Sequence, residues 1–278
     1  MPELPEVETV RRSMSERVIG ATIESVTFRD FPGIVGELSP EQFTGLVSGE
    51  TFERIDRRGK HLWLAFEGGD GLFVHLMMTG QLLLLRPGAE RARFEHLRLG
   101  LSNGWELAYA DQRKFGRVLR YSDQEWAAKE RQIGPEPLEP SFTAALLVSS
   151  MRSRSSPIKA FLLDQRRVAG IGNIYADEAL FRARLHPGRA TGSLDEAEIE
   201  RLHAAIRAVL QEGIERRGTT LSDYMDADGA RGTNAANLRV YGKGGKAVCE
   251  ECGSPLQRVV IAGRGTHFCP SCQHDEAR

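Results

Sequence analysis

The four cysteines near the C-terminal end constrain this chain more than any other feature. Cys249-x2-Cys252 and Cys269-x2-Cys272 are separated by sixteen residues, the spacing of a four-thiolate zinc site with each pair on a tight knuckle. Four sulfurs close the coordination sphere and leave no position for a water, so the expected metal is one structural Zn2+. Free thiols or two disulfides are the alternatives. The N-terminus has no basic region followed by an apolar run, which disfavours secretion and hence disulfides. Between the knuckles, Arg258 to Ile261 and Thr266 to Phe268 suit the strands of a β-hairpin. The run GRGTH sets Arg264 between two glycines at its tip. Glycine lets backbone approach a ligand closely, and a guanidinium fits phosphate as a two-pronged fork. The plain alternative is an exposed turn arginine with no ligand.

At 278 residues the chain is long enough for two domains. No stretch approaches the ~20 apolar residues of a membrane span, so a soluble, cytoplasmic protein is expected. The net charge of −1 and sequence pI near 6.7 fall short of the pI above ~9 usual for a nucleic-acid-binding domain. Distribution matters more than the sum. Basic residues cluster at Arg54, Arg57, Arg58 and Lys60, at Arg152, Arg154 and Lys159, and at Arg166 and Arg167.

Residues 21 to 121 read as short strands punctuated by turns such as GGDG, RPG and SNG. The expected strands are Thr22 to Phe28, His61 to Phe66, Leu72 to Leu76, Gln81 to Arg86, Phe94 to Leu101, Trp105 to Tyr109 and Arg117 to Tyr121. The three prolines of GPEPLEPS, 134 to 141, mark a stiff linker. Helical periodicity follows over Phe142 to Met151, Pro157 to Gln165 and Asn173 to Arg184. A capping box at Ser193 and Glu196 opens a long helix that stops near Gly218. Residues 218 to 237 read as a long polar loop, which in a compact domain is usually functional or disordered. The expected class is α+β, with an antiparallel β domain over 1–133, a linker over 134–141, a helical domain over 142–237 and a zinc-bearing finger over 238–278.

The opening PELPEVE holds the most unusual chemistry. Pro2 follows an initiator Met, which a small second residue usually allows to be removed. Removal would leave a ring-constrained secondary amine, and N-terminal amines titrate near pH ~8. Such an amine attacking a carbonyl-equivalent carbon gives a Schiff base. Its adduct is an iminium that has no nitrogen proton to lose and so stays an electron sink. Glu3 and Glu6 lie three apart at the head of a helix whose stripe is Val7, Val10, Met14 and Val18. A carboxylic acid there could protonate a leaving group, although proline and glutamate also simply start helices. The glycines of Ala169-Gly-Ile-Gly-Asn173 precede a helix N-terminus, a ready anion site, and Asn173 could cap that helix or donate to phosphate. The alternative there is a tight helix–helix turn. Lys60 follows a basic turn and could be a solvated charge. His75 lies in an apolar strand, where a core histidine is the ordinary outcome. Met78 and the DQRKFG run, 111 to 116, could supply wedges between bases, with core packing as the alternative.

Taken together, PELPEVET, RRGKHL, HLMMTG, DQRKFG, GIGNIYADE, GRGTHFC and the four cysteines resemble the formamidopyrimidine-DNA glycosylases, in the family's order and across essentially the whole chain. The resemblance implies an N-terminal β-sandwich with an N-terminal helix, a helical domain with a helix-two-turns-helix element, and a β-hairpin zinc ribbon, with DNA in the cleft between domains. It implies a bifunctional DNA glycosylase and AP lyase of base excision repair, acting as a monomer on damaged double-stranded DNA in the bacterial cytoplasm, with no membrane partner. Pro2 would be the nucleophile, Glu3 the acid and Glu6 its supporting carboxylate. Lys60 and Arg264, counted with the catalytic group, would grip the phosphates around the flipped nucleotide together with His75 and Asn173. Met78, Arg113 and Phe115 would fill the vacated space, with Met77 the alternative to Met78. Lys159 would lie near the damaged base. Thr219, Thr220 and Tyr224 would belong to a loop capping it. Oxidised purines, 8-oxoguanine and formamidopyrimidines, are the implied substrates. The rivals are the related endonuclease VIII type, directed at oxidised pyrimidines, and a non-catalytic DNA-binding module that would leave Pro2, Glu3 and Glu6 without a purpose.

Overall fold

The computed structural model describes residues 1–152 and 155–274; Arg154 of the second basic cluster lies outside them. The chain forms two compact units. The first contains residues 1–132 and 214–235, and the second residues 133–213 and 236–278. The segment 214–235 therefore leaves the helical portion that precedes it in sequence and packs with the β unit.

In the first unit, α1 (Leu4–Val18) is followed by eight strands. They are β1 (Ile23–Phe28), β2 (Phe52–Arg58), β3 (His61–Phe66), β4 (Gly71–His75), β5 (Gly80–Leu85), β6 (Glu95–Leu101), β7 (Glu106–Asp111) and β8 (Arg117–Tyr121). Two four-stranded antiparallel sheets result, ordered β1-β6-β7-β5 and β2-β3-β4-β8. Alternation sets the faces. Leu62, Leu64 and Phe66 of β3, Leu72 and Val74 of β4, Leu97, Leu99 and Leu101 of β6 and Leu107 and Tyr109 of β7 meet in one core, which α1 joins through Val7, Val10, Met14 and Val18. The opposite face of the second sheet turns Trp63, Ala65 and Phe73 outward, where α3 (Asp123–Glu130) covers them. There Trp63 and Trp126 stack with centroids 5.2 Å apart. The remaining tryptophan, Trp105, lies beneath the guanidinium groups of Arg17 and Arg86, 4.9 and 4.3 Å from its ring centre.

Three elements of this unit differ from the sequence reading. Helix α3 falls between the final expected strand and the linker, and starts on a capping box between Ser122 and Glu125. Strand β2 is charge-rich, FERIDRR, and buries only Phe52 and Ile55, so its apolar alternation is too sparse to read. Helix α2 (Pro40–Val47) was expected as neither helix nor strand. It starts on a capping box between Ser39 and Gln42 and buries Phe43 and Val47.

The second unit contains α4 (Ala144–Met151), α5 (Ile158–Leu163), α6 (Asn173–Arg182) and α7 (Glu196–Glu215), whose last two residues belong to the first unit, then β9 (Gln257–Ile261) and β10 (Arg264–Phe268). Helix α7 begins later than expected. The reciprocal cap is made by Asp195 and Glu198, each side chain accepting the other's backbone N–H at 2.7 and 3.1 Å, while Ser193 sits in a 3-10 turn. Between α5 and α6, Gln165 binds the two-turn segment together, donating to the Leu163 and Ile171 carbonyls and accepting the Gly170 N–H. Strands β9 and β10 pair around Ala262 and Gly263, both at positive φ (50° and 71°), the geometry of a two-residue primed turn.

Candidate active site and nucleic-acid interface

In the first unit, the residues at the head of α1 are sealed rather than splayed into solvent. Pro2 is buried, and Glu3 and Glu6 are 2% and 1% exposed. Glu3 occupies the N-cap in extended backbone. Its N–H donates to Glu6 Oε2 at 2.8 Å, while Thr219 N–H donates to Glu6 Oε1 at 2.7 Å. One carboxylate thus ties the chain start to the loop 218–233. Tyr224 Oη lies 3.2 Å from the Glu6 carbonyl, and Ser13 Oγ accepts the Ala227 N–H. Thr220 holds the same loop from within, accepting Gly232 N–H and donating to the Tyr224 carbonyl. Asp226, fully buried, pairs with Arg217 and accepts the N–H groups of Asp228 and Ala230. Met1, by contrast, is 43% exposed.

Lys60 stands in the turn joining β2 to β3, almost wholly buried. That turn is braced against α1: Arg57 donates to Glu8 Oε2 at 3.1 Å and to the Gly59 carbonyl at 3.3 Å. Burial alone would raise the Glu8 carboxyl, but bonds from Arg11 and Arg12 and the charge of Arg57 outweigh it and hold it down at about 2. Beside Lys60, His61 and His75 face each other across the β3–β4 register with ring centres 4.4 Å apart. Burial, with the neighbouring Lys60 and Lys129 charges, lowers His75 to about 4; burial and His75 itself lower His61 to about 3. His75 is therefore neutral at physiological pH and offers a hydrogen bond, not a charge.

Two turns project from the same unit. Met78 lies in the β4–β5 turn, partly exposed, beside Met77 at φ 51°. Arg113 and Phe115 lie in the β7–β8 turn, with Phe115 48% exposed and the Arg113 guanidinium 4.8 Å from its ring centre. A solvent-facing phenyl capped by a guanidinium is not core packing, the ordinary alternative for this run.

In the second unit, the four cysteine Sγ atoms lie within 4.8 Å of one another, with Cys249–Cys272 at 3.9 Å and Cys252–Cys269 at 3.5 Å. A tetrahedral ion with Zn–S bonds of ~2.3 Å needs sulfurs close to that separation. Four thiols this crowded ionise together only around a cation, so the donor set fits one structural Zn2+. Arg264 leads β10, its side chain exposed. The next carbonyl, Gly265, accepts from Asn173 Nδ2 at 3.0 Å and from Lys159 Nζ at 3.2 Å.

One of the two local roles open to Asn173 is not taken. Asn173 does not cap α6: Gly172 holds the N-cap and no side chain caps it. Asn173 instead reaches the hairpin, leaving its own Oδ1 buried without a partner. Lys159, which the resemblance puts near the damaged base, has surroundings the sequence did not reveal: it is fully enclosed. Its ammonium is 2.6 Å from Asp177 and 2.8 Å from Thr266 Oγ1, because a buried ammonium requires a carboxylate and further acceptors. Asp177 also accepts the His267 N–H. Burial pushes its carboxyl up to about 7 in spite of Lys159. Glu178, its neighbour, accepts the N–H groups of Arg239, Val240 and Tyr241. The acidic pair of NIYADE thus anchors backbone, a role that no spacing rule in the sequence marks.

Comparison with known proteins agrees with this construction. Residues 1–118 match the formamidopyrimidine-DNA glycosylase N-terminal domain, 133–225 the H2TH domain of the same enzymes, and 248–274 a zinc finger found in FPG and IleRS. An antiparallel β unit with a sealed N-terminus, a helix-two-turns-helix segment and a four-cysteine ribbon together define a DNA glycosylase of the H2TH class. The formamidopyrimidine-DNA glycosylase of Chloroflexus aurantiacus is 46% identical over 273 residues, 98% of each chain. That of Desulfitobacterium hafniense is 46% identical over 275 residues, 98% of this chain and all of that one. The Lactococcus lactis enzyme in complex with DNA carrying N7-benzyl-Fapy-dG superposes with a TM-score of 0.90 at 38% identity, covering 98% of this chain and 100% of that one. The chain belongs to the formamidopyrimidine-DNA glycosylase family.

Proposed function

We propose that this DNA glycosylase excises oxidised purines, 8-oxoguanine and formamidopyrimidines, from duplex DNA through Pro2, and then cuts the strand at the abasic site. The observation that carries the reading is the sealed head of α1, where Glu6 accepts the N–H groups of both Glu3 and Thr219. With Met1 attached the Pro2 nitrogen is an amide. Once Met1 is removed it is an amine, and its lone pair attacks C1′ of the extruded nucleotide. The C1′–base bond breaks, and Glu3 supplies the proton that the departing base requires. Glu6 supports that transfer. The Pro2 nitrogen then loses its proton and the C1′–O4′ bond opens, O4′ taking up a proton, which leaves an open-chain iminium. This acidifies the C2′ hydrogens, so loss of one expels the 3′ phosphate by β-elimination, and δ-elimination then releases the 5′ phosphate. Thr219, Thr220 and Tyr224 belong to the loop that covers the extruded base.

Extrusion costs a few kcal/mol of stacking and pairing, which Met78, Arg113 and Phe115 offset by filling the gap, Arg113 facing the opposite base. Lys60, neutral His75, Asn173 and Arg264 are the groups that hold phosphates. Their localisation explains how a chain of net charge −1 engages a polyanion: affinity follows local phosphate contacts, not the total. Solved relatives support the substrate class. The Lactococcus lactis protein has been crystallised with DNA containing Fapy-dG and with DNA containing an abasic site. It has also been crystallised with an oxidised pyrimidine, so the two lesion classes must be compared directly.

Borohydride added during turnover on 8-oxoguanine duplex should trap a covalent complex whose peptide adduct maps to Pro2, on protein whose mass shows loss of Met1. Trapping should be weaker on an oxidised-pyrimidine duplex. Binding without any adduct, in correctly processed protein, would return the chain to the non-catalytic reading.

A further inference from the structure

Asp111 ends β7 at 2% exposure, and its partners are N–H and O–H donors of the two projecting turns. Its Oδ1 accepts from Thr79 Oγ1 at 2.5 Å and from Arg113 N–H at 3.1 Å; its Oδ2 accepts from Gly116 N–H at 2.7 Å. Thr79 Oγ1 in turn shares the Arg113 N–H at 3.2 Å, and Thr79 directly follows Met78. The Asp111 carbonyl is also engaged, accepting from Lys114 N–H and lying 2.9 Å from His96 Nε2. On the outer side, Arg117 Nη1 donates to the carbonyls of Lys114, Phe115 and Gly116. A further bond, Tyr109 Oη to the His75 carbonyl, closes the base of the two turns. Nothing larger than glycine fits there: a Cβ on Gly116 would lie 1.6 Å from Tyr109 Oη.

A carboxylate desolvated this far and met by donors from both turns is a geometric clamp. We propose that Asp111 is the positioning residue that locks the Met78 turn and the Arg113–Phe115 turn into one wedge, set before DNA arrives. The inference rests on the reading of these side chains as gap fillers. Two free turns would each lose rotamer and backbone freedom on entering a duplex, an ordering cost that preorganisation removes. Asp111 touches neither the base nor the reacting sugar. Its effect is confined to steps in which an intact duplex must be opened.

The test uses zinc-loaded, Met1-free full-length protein. Single-turnover excision is measured on an 8-oxoguanine duplex, and strand cleavage is measured on a single-stranded oligonucleotide that already carries an abasic site. Asp111→Asn presents an amide donor to one of these N–H groups. It should slow duplex excision roughly 10- to 100-fold, as expected for a lost positioning contact, yet leave single-strand cleavage within about twofold. Thr79→Val should show the same split and Thr79→Ser should restore it; this pair carries the test alone should Asp111→Asn not fold. A 2-aminopurine beside the lesion should lose its extrusion signal in Asp111→Asn and Thr79→Val. Met78→Ala and Phe115→Ala, run in parallel, separate the two layers. If they slow duplex excision and Asp111→Asn and Thr79→Val do not, the clamp is wrong while the wedge stands. If none of the four slows it, the wedge reading fails and the clamp with it. Equal losses on both substrates would make Asp111 merely structural and overturn the proposal.

Discussion

At the scale of single residues, the site combines groups whose protonation is set by burial. His61 and His75 are depressed to about 3 and about 4, so in the folded chain both stay neutral where the unfolded chain would bind protons. Stability is then full above the ordinary value near ~6.5 and falls as pH drops toward the folded values, by at most about 1.4 kcal/mol per pH unit for each ring. Denaturant midpoints at pH 7 and pH 5 should show this loss, and His61→Gln should recover about 1–2 kcal/mol of the difference. A variant with an unchanged slope would mean that His61 titrates normally. Pro2, Glu3 and Glu6 were legible in the sequence as chemistry without partners. Glu6 finds its second donor 213 residues away in Thr219, and no local pattern encodes such a contact. Lys159 shows the converse. Its motif was readable, but its surroundings were not, because enclosure by Asp177 and Thr266 depends on how α5, α6 and β10 pack.

At the scale of elements, the loop 218–233 is built as a closed strap. Its ends are joined by the bridge between Thr219 and Thr233, and Gly232 passes so close to the other end that a Cβ would lie 2.2 Å from the Gly218 carbonyl oxygen and 2.4 Å from that of Arg217. Backbone on both sides cannot yield cheaply. Gly232→Ala should therefore cost about 1–3 kcal/mol of stability, as overpacking does. It should also reduce base excision more than cleavage of a preformed abasic site, which needs no base covered. Equal effects on both substrates would detach the strap from base recognition. The sequence marked this stretch only as long, polar and glycine-containing. The strands were easier to read, since β3 to β8 carry turn signals and apolar runs, whereas the charged β2 and the short α2 depend on neighbours to hold them.

At the scale of the whole molecule, the zinc ribbon supports the hairpin that presents Arg264, and Lys159 and Asn173 fix that hairpin to the helices of its own unit. Cys249→Ser should release the metal, reduce duplex affinity at least tenfold, and leave the β unit folded, as judged by zinc content, DNA titration and far-ultraviolet dichroism together. Retained zinc at full occupancy would argue against the four-sulfur assignment. The cysteine spacing made this site the most legible part of the chain, because a metal fixes geometry that packing otherwise decides. The placement of the tryptophans has its own consequence. Trp63, Trp105 and Trp126 all lie in the first unit, one pair stacked and the third between two arginines. Intrinsic emission excited at the red edge therefore follows the β unit, so an optical melting curve and a metal-release curve are separate clocks in this protein, and their divergence measures how independently its two units come apart.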